Sequence, residues 1–177
     1  MRLPQPVDKL RIVMYPAAVL RKRCAPIKGF DDGLAELAQR MIALMHEARG
    51  VGLAAPQVGV SHRLFVCNAT GQPDDDTVWV NPVLSDLEGS VEADEGCLSI
   101  PGVNVPKRRA ARARLRGFDV HGRPSEATAT ELLARIWQHE SDHLNGVLVI
   151  DGMSEAAELA NRRAIKQLEA DYATARR

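Results

Sequence analysis

Gln138-His139-Glu140-Ser141-Asp142-His143 is the stretch on which the reading of this 177-residue chain turns. On an α-helix, residues four apart share a face, so the His139 and His143 imidazoles can reach one metal ion. Glu140 follows the first histidine and can hold a water that the metal polarises, the arrangement of HExxH hydrolases. The pattern alone is common, and two helix-face histidines are often only structural. Its neighbours sharpen it. Leu132, Ile136, His139 and His143 recur at i, i+4, i+7 and i+11, which predicts that the imidazoles share the inward stripe of the helix. Two neutral rings facing a core need partners, and a metal ion supplies one.

Outward from this stretch, the spacing predicts a helix over 130–144, closed by Asn145-Gly146. Residues 147–150 read as a buried extended run. Ser154 then caps a C-terminal helix over 154–174, with Ala164, Ile165, Leu168 and Tyr172 facing inward. Upstream, 63–67, 78–84 and 91–93 read as short strands. Over 111–116, Ala111, Ala113 and Leu115 alternate with Arg112, Arg114 and Arg116, a half-buried strand with a basic outer face. With Lys107, Arg108 and Arg109 that face suggests a phosphate-binding ladder. Without interleaved aromatics, a solvated, aggregation-resistant surface is the better reading. An N-terminal helix is predicted over 32–48, capped by Asp31 or Asp32 and stopped by Gly50 as its left-handed residue. His46, near its end, reads as a surface residue. Residues 1–9 read as a loose arm, and 12–15 as an extended segment stopped by Pro16. The predicted fold is therefore α+β: short antiparallel strands packed around the HExxH helix, with an N-terminal and a C-terminal helix, in one domain spanning 1–177.

Composition narrows the function classes. Aromatics are only 4%, so the core must rest on Leu, Val, Ile, Ala and Met. Lys plus Arg equals Asp plus Glu at 23 each, so no global field draws the chain to nucleic acid or anionic lipid. Three scattered cysteines, Cys24, Cys67 and Cys97, are not a disulfide framework and suit a reducing compartment. No apolar run approaches a membrane span, and the first residues lack a secretory signal, so a cytoplasmic location is expected.

A catalytic metal of this kind wants a third protein ligand and one open position. The extended HExxHxxGxxH pattern fails, because Gly146 is present but position 149 is Val149. Glu155 or Glu158, at the start of the last helix, could serve, although acidic residues favour helix starts anyway. Cys97, in Glu95-Gly96-Cys97-Leu98-Ser99, is the other candidate, expected on a short strand; soft sulfur with two imidazoles suits a transition metal. Cys67, in an apolar run, and Cys24 read as unliganded. Gly50-Val51-Gly52-Leu53-Ala54-Ala55-Pro56-Gln57 lets a backbone approach a ligand closely, and the Gln57 amide can donate to an oxyanion.

These three segments together resemble peptide deformylase, and the resemblance runs from about residue 12 to 153. It implies removal of the formyl group from the N-formylmethionine of newly made polypeptides, with release of formate. It implies one divalent metal held by Cys97, His139 and His143, usually Fe2+, with Zn2+, Ni2+ or Co2+ able to occupy the site. By the same resemblance Glu140 is the acid–base, while Gln57 and the Leu98 backbone N–H stabilise the oxyanion. Val51, Gly52, Glu95, Leu132 and Ile136 match positions around the methionine pocket. Two positions depart from the family: Ser141 stands where an apolar residue is usual, and Glu131 where glycine is frequent. Ser141 can bond back into its helix, and a packing effect rather than a lost ligand is expected there. An enzyme acting on nascent chains would meet the ribosome, and the last helix carries Arg162, Arg163, Lys166, Arg176 and Arg177; no specific nucleic-acid site and no membrane contact are expected. The competing readings are an endopeptidase using Glu155 or Glu158, and a non-catalytic domain with a closed structural metal, or none, acting through its Arg-lined strand.

Overall fold

Helix α1 (Asp32–Glu47) forms where Leu34, Leu37, Met41, Leu44 and Met45 recur on one face, and all five are buried. Asp31 is its cap, with Oδ1 accepting from the Leu34 N–H at 3.0 Å. The computed structural model describes residues 5–175 of the chain. The helix stops at Arg49, which takes the left-handed conformation (φ 56°) that was expected of Gly50. The Arg49 N–H then reaches His46 O, and the Gly50 N–H reaches Met45 O at 2.8 Å. Gly50 serves a different purpose: a Cβ there would lie 2.6 Å from Leu98 Cδ1, so its absence makes room for that side chain.

Seven strands follow: β1 (Gly52–Ala54), β2 (Leu64–Cys67), β3 (Thr77–Glu88), β4 (Val91–Glu95), β5 (Val105–Arg109), β6 (Arg112–Phe118) and β7 (Pro124–Thr130). All pairings are antiparallel, in a five-stranded sheet ordered β1-β2-β3-β6-β7 and a separate pair β4-β5. Helix α2 (Glu131–Leu144) follows directly on β7, and α3 (Glu155–Ala175) closes the chain. The α+β fold predicted from sequence is the one observed.

Strand β2 shows how the layers are set. Leu64 and Val66 join the core of α1, while Phe65 and Cys67 join the core of α2 with Trp137 and Leu144. Successive side chains point to opposite faces, so the two helices cover opposite sides of the sheet. Cys67 is a fully buried core residue, and Cys24 is buried as well. A third cluster holds α3 through Ala164, Ile165, Leu168 and Tyr172 against Leu20, Ile100, Val103 and Leu148. Ser154 Oγ caps α3 by accepting from the Ala157 N–H at 3.3 Å.

Two expectations are corrected, and other features were not foreseen. The 147–150 run forms no strand: 147 and 148 belong to no regular element and a turn begins at 149, with only Leu148 and Val149 buried within it. Part of the supposed loose arm is ordered, since Val7–Lys9 makes a 3-10 turn and Val7 packs on the core; residues 1–4 lie outside the described residues. Strands β1, β5 and β7 escaped the sequence reading because Gly52–Ala54 lies in a glycine-rich run, Val105–Arg109 carries three cations and Pro124–Thr130 has only small and polar residues. The basic face of β6 is no open ladder either. Arg112 pairs with Glu88 at 2.9 Å, Arg114 with Glu126 and Asp86, and Arg108 of β5 with Glu92 at 3.5 Å.

Candidate active site

Helix α2 enters and leaves through two left-handed residues, Glu131 (φ 53°) and Gly146 (φ 76°). Between them it presents His139 and His143 one turn apart, with Glu140 beside them. Cys97 is not on a central strand, as expected, but in the turn just beyond β4, where the Ile100 N–H donates to Cys97 O at 2.9 Å. Its Sγ nonetheless lies 3.3 Å from His143 Nε2. The ligand-type atoms of Cys97, His139 and His143 all fall within 4.8 Å of one another, and no other such cluster occurs among the described residues. Glu155 and Glu158 therefore do not complete the site.

The donor set fits a transition metal: one sulfur and two imidazole nitrogens, with three protein ligands and room for a fourth. The surroundings agree. Burial holds His143 well below its ordinary pKa, in the neutral form a ligand needs. Burial also opposes a charge on His139, yet Cys97 and Glu95 outweigh it and push that ring up to about 10. Negative surroundings that attract a proton there attract a metal cation equally. The His139 Nδ1–H donates to Glu95 Oε2 at 3.1 Å, which leaves Nε2 for the centre.

Glu95 is in turn gripped from outside. Arg109 reaches Oε1 and Oε2 at 3.0 and 2.9 Å, and Arg135 reaches Oε1 at 2.8 Å. Burial raises the carboxyl, but His139 and Arg109 overcome it and hold it down at about 2. Arg109 also bonds Asp142 at 2.7 Å. Glu95, predicted as a pocket wall, does line the cavity, but its carboxylate is committed to the ring of His139.

The glycine loop supplies the opposite wall. The Ala54 N–H donates to Gln57 Oε1 at 2.8 Å, which turns the Gln57 amide so that Nε2 faces Cys97 Sγ (3.5 Å) and Ser99 Oγ (3.2 Å). Gly52 must lack a side chain because a Cβ there would lie 2.8 Å from Glu140 Cδ. Glu140 is buried, and burial pushes its carboxyl up to about 7. Its Oε2 has no hydrogen-bond partner.

A cavity of about 590 Å³ opens here, lined by Gln57, Cys97, Leu98, His139 and Glu140 and by Val51, Gly52, Glu95, Leu132 and Ile136. His143 lies buried beneath it. The inward stripe predicted for α2 is thus only partly inward. Ile136 and His143 are buried, whereas Leu132 is 50% exposed and Val51 is 44% exposed, both at the mouth. Ser141 does not bond back into the helix; its Oγ is buried without a partner. His46 is exposed, paired with Asp76 at 2.8 Å. Sequence reasoning missed Arg135 and Ser99. The available signal for Arg135 was its place four residues before His139, where a charge on the ligand face of a helix needs a buried partner.

Residues 9–158 match the sequence profile of the polypeptide deformylase family. The chain belongs to that family. A peptide deformylase of Hydrogenovibrio crunogenus is 41% identical over 167 residues, covering 94% of this chain and 97% of the relative. A crystal structure of a peptide deformylase from Legionella pneumophila superposes with a TM-score of 0.86 at 40% identity, covering 93% of this chain and 98% of that one. One from Thermotoga maritima gives 0.78 at 40% identity over 82% and 97%. The family removes N-formyl groups from nascent peptides, and this chain is a hydrolase of that class with a cluster fit for a metal ion. No helix among the described residues is long and apolar enough to cross a membrane.

Proposed function

We propose that this chain deformylates N-formylmethionyl nascent peptides with Cys97, His139 and His143 holding its metal and Glu140 moving the proton. The observation that carries this reading is the convergence of those three ligand atoms within 4.8 Å of one another beside a buried carboxylate. Bound there, a divalent metal supplies Lewis acidity that lowers the pKa of a water. Glu140 takes that water's proton on a carboxylate oxygen as the water attacks the formyl carbon. The negative charge that develops on the formyl oxygen is met by the Gln57 Nε2–H and the Leu98 backbone N–H. Glu140 then returns its proton to the departing amine, the formyl C–N bond breaks, and formate leaves. Burial raises the Glu140 carboxyl, which favours its holding a proton between the two transfers. The methionine side chain is proposed to lie against Val51, Gly52, Glu95, Leu132 and Ile136, an apolar slot with Ile136 as its buried floor.

The deciding experiment measures formate release from a formyl-Met dipeptide by anaerobically prepared, metal-loaded protein. Glu140→Ala should keep the metal and lose activity by about 10²–10⁴-fold. Wild-type protein that leaves the substrate untouched overturns the assignment. The cellular metal is proposed to be Fe2+, because a thiolate-bound ferrous centre suits this donor set and a reducing compartment. The iron form should then decay in air faster than the zinc or nickel form; equal decay would count against iron. Free thiols at Cys24, Cys67 and Cys97 support a cytoplasmic location. Ribosome contact is proposed through Arg162, Arg163 and Lys166 on exposed α3, without a specific nucleic-acid site; Arg176 and Arg177 lie outside the described residues. Charge reversal at those three positions should abolish co-sedimentation with ribosomes, and unchanged co-sedimentation would exclude this surface.

A further inference from the structure

The three ligand atoms come from two bodies that differ in how they are held. His139 and His143 ride on α2, whose Ala134, Trp137 and Leu144 are buried in the main core. Cys97 rides on the β4-β5 pair, which has no ladder to the five-stranded sheet. Along β4 the residues Val91, Glu92, Ala93 and Asp94 are all exposed, so apolar burial does little to hold this strand. Several α2 side chains span the gap: His139 bonds Glu95 of β4, Asp142 bonds Arg109 of β5, and Arg135 reaches both strands. The Arg135 guanidinium donates to Val91 O at 3.1 Å, Ala93 O at 3.0 Å, Lys107 O at 3.0 Å and Glu95 Oε1 at 2.8 Å. Val91, Ala93 and Glu95 belong to β4 and Lys107 to β5, so one group clasps both strands from a position one helical turn before His139. Arg135 is itself only 8% exposed.

We infer that Arg135 is a positioning residue for the metal centre: it fixes the β4-β5 pair, and with it Cys97, at the separation from α2 that thiolate ligation requires. Its donors are committed to the strands, so it acts through Cys97 rather than on substrate. A planar fork can meet several acceptors in two strands at once; a lysine ammonium on a flexible stem cannot reproduce that geometry. The inference rests on the three-ligand centre proposed above, but not on the reaction performed there.

The test uses the full chain and two readouts that do not involve turnover. Cobalt-loaded protein is mixed with excess chelator, and metal release is followed by loss of the cobalt–thiolate absorption. Arg135→Leu should release cobalt about 10–100-fold faster than wild type, with Arg135→Lys in between. In metal-free protein, amide hydrogen exchange should quicken within Val91–Glu95 and Val105–Arg109 while the amides of α1 and β2 keep their wild-type rates. Unchanged release in Arg135→Leu, or exchange rising equally across the whole chain, would overturn the inference. Should Arg135→Leu fail to fold, Arg135→Lys read by the same two measurements decides. Wild-type protein that takes up no cobalt would overturn the metal reading itself, whereas cobalt uptake without formate release would strike only at the activity.

Discussion

Helix α2 and the β4-β5 pair meet at one centre, yet opposite forces hold them. The helix is wedged by shape: Trp137 packs edge-on against Trp79 with ring centroids 5.7 Å apart, and Ala134, Ile136 and Leu144 fill the core around it. The strand pair is held on its α2 side by charge, through Glu95, Arg109, Arg135 and Asp142. The contrast teaches that the two legs of the proposed metal site should fail under different insults. Acid and charge removal should loosen the thiolate leg, while small steric changes should loosen the imidazole leg.

The largest effect is expected at Glu95. Glu95→Gln takes from Arg135 its carboxylate and leaves Arg109 with Asp142 alone, and breaking a buried pair from one side costs about 3 kcal/mol or more. The pH dependence should carry the same signature. Folded Glu95 sits at about 2 against an ordinary 4.5, so between those values the unfolded chain binds more protons than the folded one. Its stabilisation is therefore complete above about pH 4.5 and is lost as pH falls through about 2, roughly 3 kcal/mol in all. Urea unfolding of metal-free wild type and Glu95→Gln should give stabilities that converge as pH drops over that window. Parallel curves from pH 6 to 2 would show that charge does not hold this leg.

Next comes the C-terminal end of α2. Gly146 has φ 76°, and a Cβ there would lie 2.5 Å from the Arg21 carbonyl oxygen, a backbone atom with no freedom to swing away. Gly146→Ala should cost about 2 kcal/mol, from left-handed strain plus the forced shift. Unlike Glu95→Gln, its loss should be the same at pH 3 and pH 7. A deficit that shrinks in acid would mean that the helix leg, too, depends on charge.

The same division between shape and charge separates what the sequence disclosed from what it hid. Periodicity marks a helix that buries a stripe, so α1, α2 and α3 were visible, as was the alternation of β6. The proposed metal ligands could be found because two of them are four apart on one helix, and because Cys97 sits in a short motif. Strands that bury little leave no such trace. Val105–Arg109 looks like a solvated basic run because nothing in its pattern distinguishes Arg109, gripped by Glu95 and Asp142, from Arg108 on the surface. The partners of Arg109 lie 14 and 33 residues away, and a window along the chain cannot see them. The stop after α1 was misplaced for a related reason. Gly50 looks like a left-handed residue, but its missing Cβ makes room for Leu98, a contact made only in three dimensions.

The smallest effect expected is a gain, at the other end of α2. Glu131 holds φ 53°, a conformation that glycine adopts freely and that costs a residue with a Cβ about 1–2 kcal/mol. Its side chain is exposed, and its N–H still donates to Ala111 O at 3.0 Å, a bond that glycine would keep. Glu131→Gly gives up the favourable placement of an acid at a helix start, worth about 0.5 kcal/mol, and some chain entropy when unfolded. The net gain should be about 0.5–1 kcal/mol. Glu131→Ala is the control: it removes the same charge but keeps the Cβ, so it should be no more stable than wild type. Because α2 is held by shape, the glycine variant should gain stability and leave cobalt release unchanged. If alanine stabilises as much as glycine, the strain assigned to this residue is absent and the helix start is governed by its charge instead.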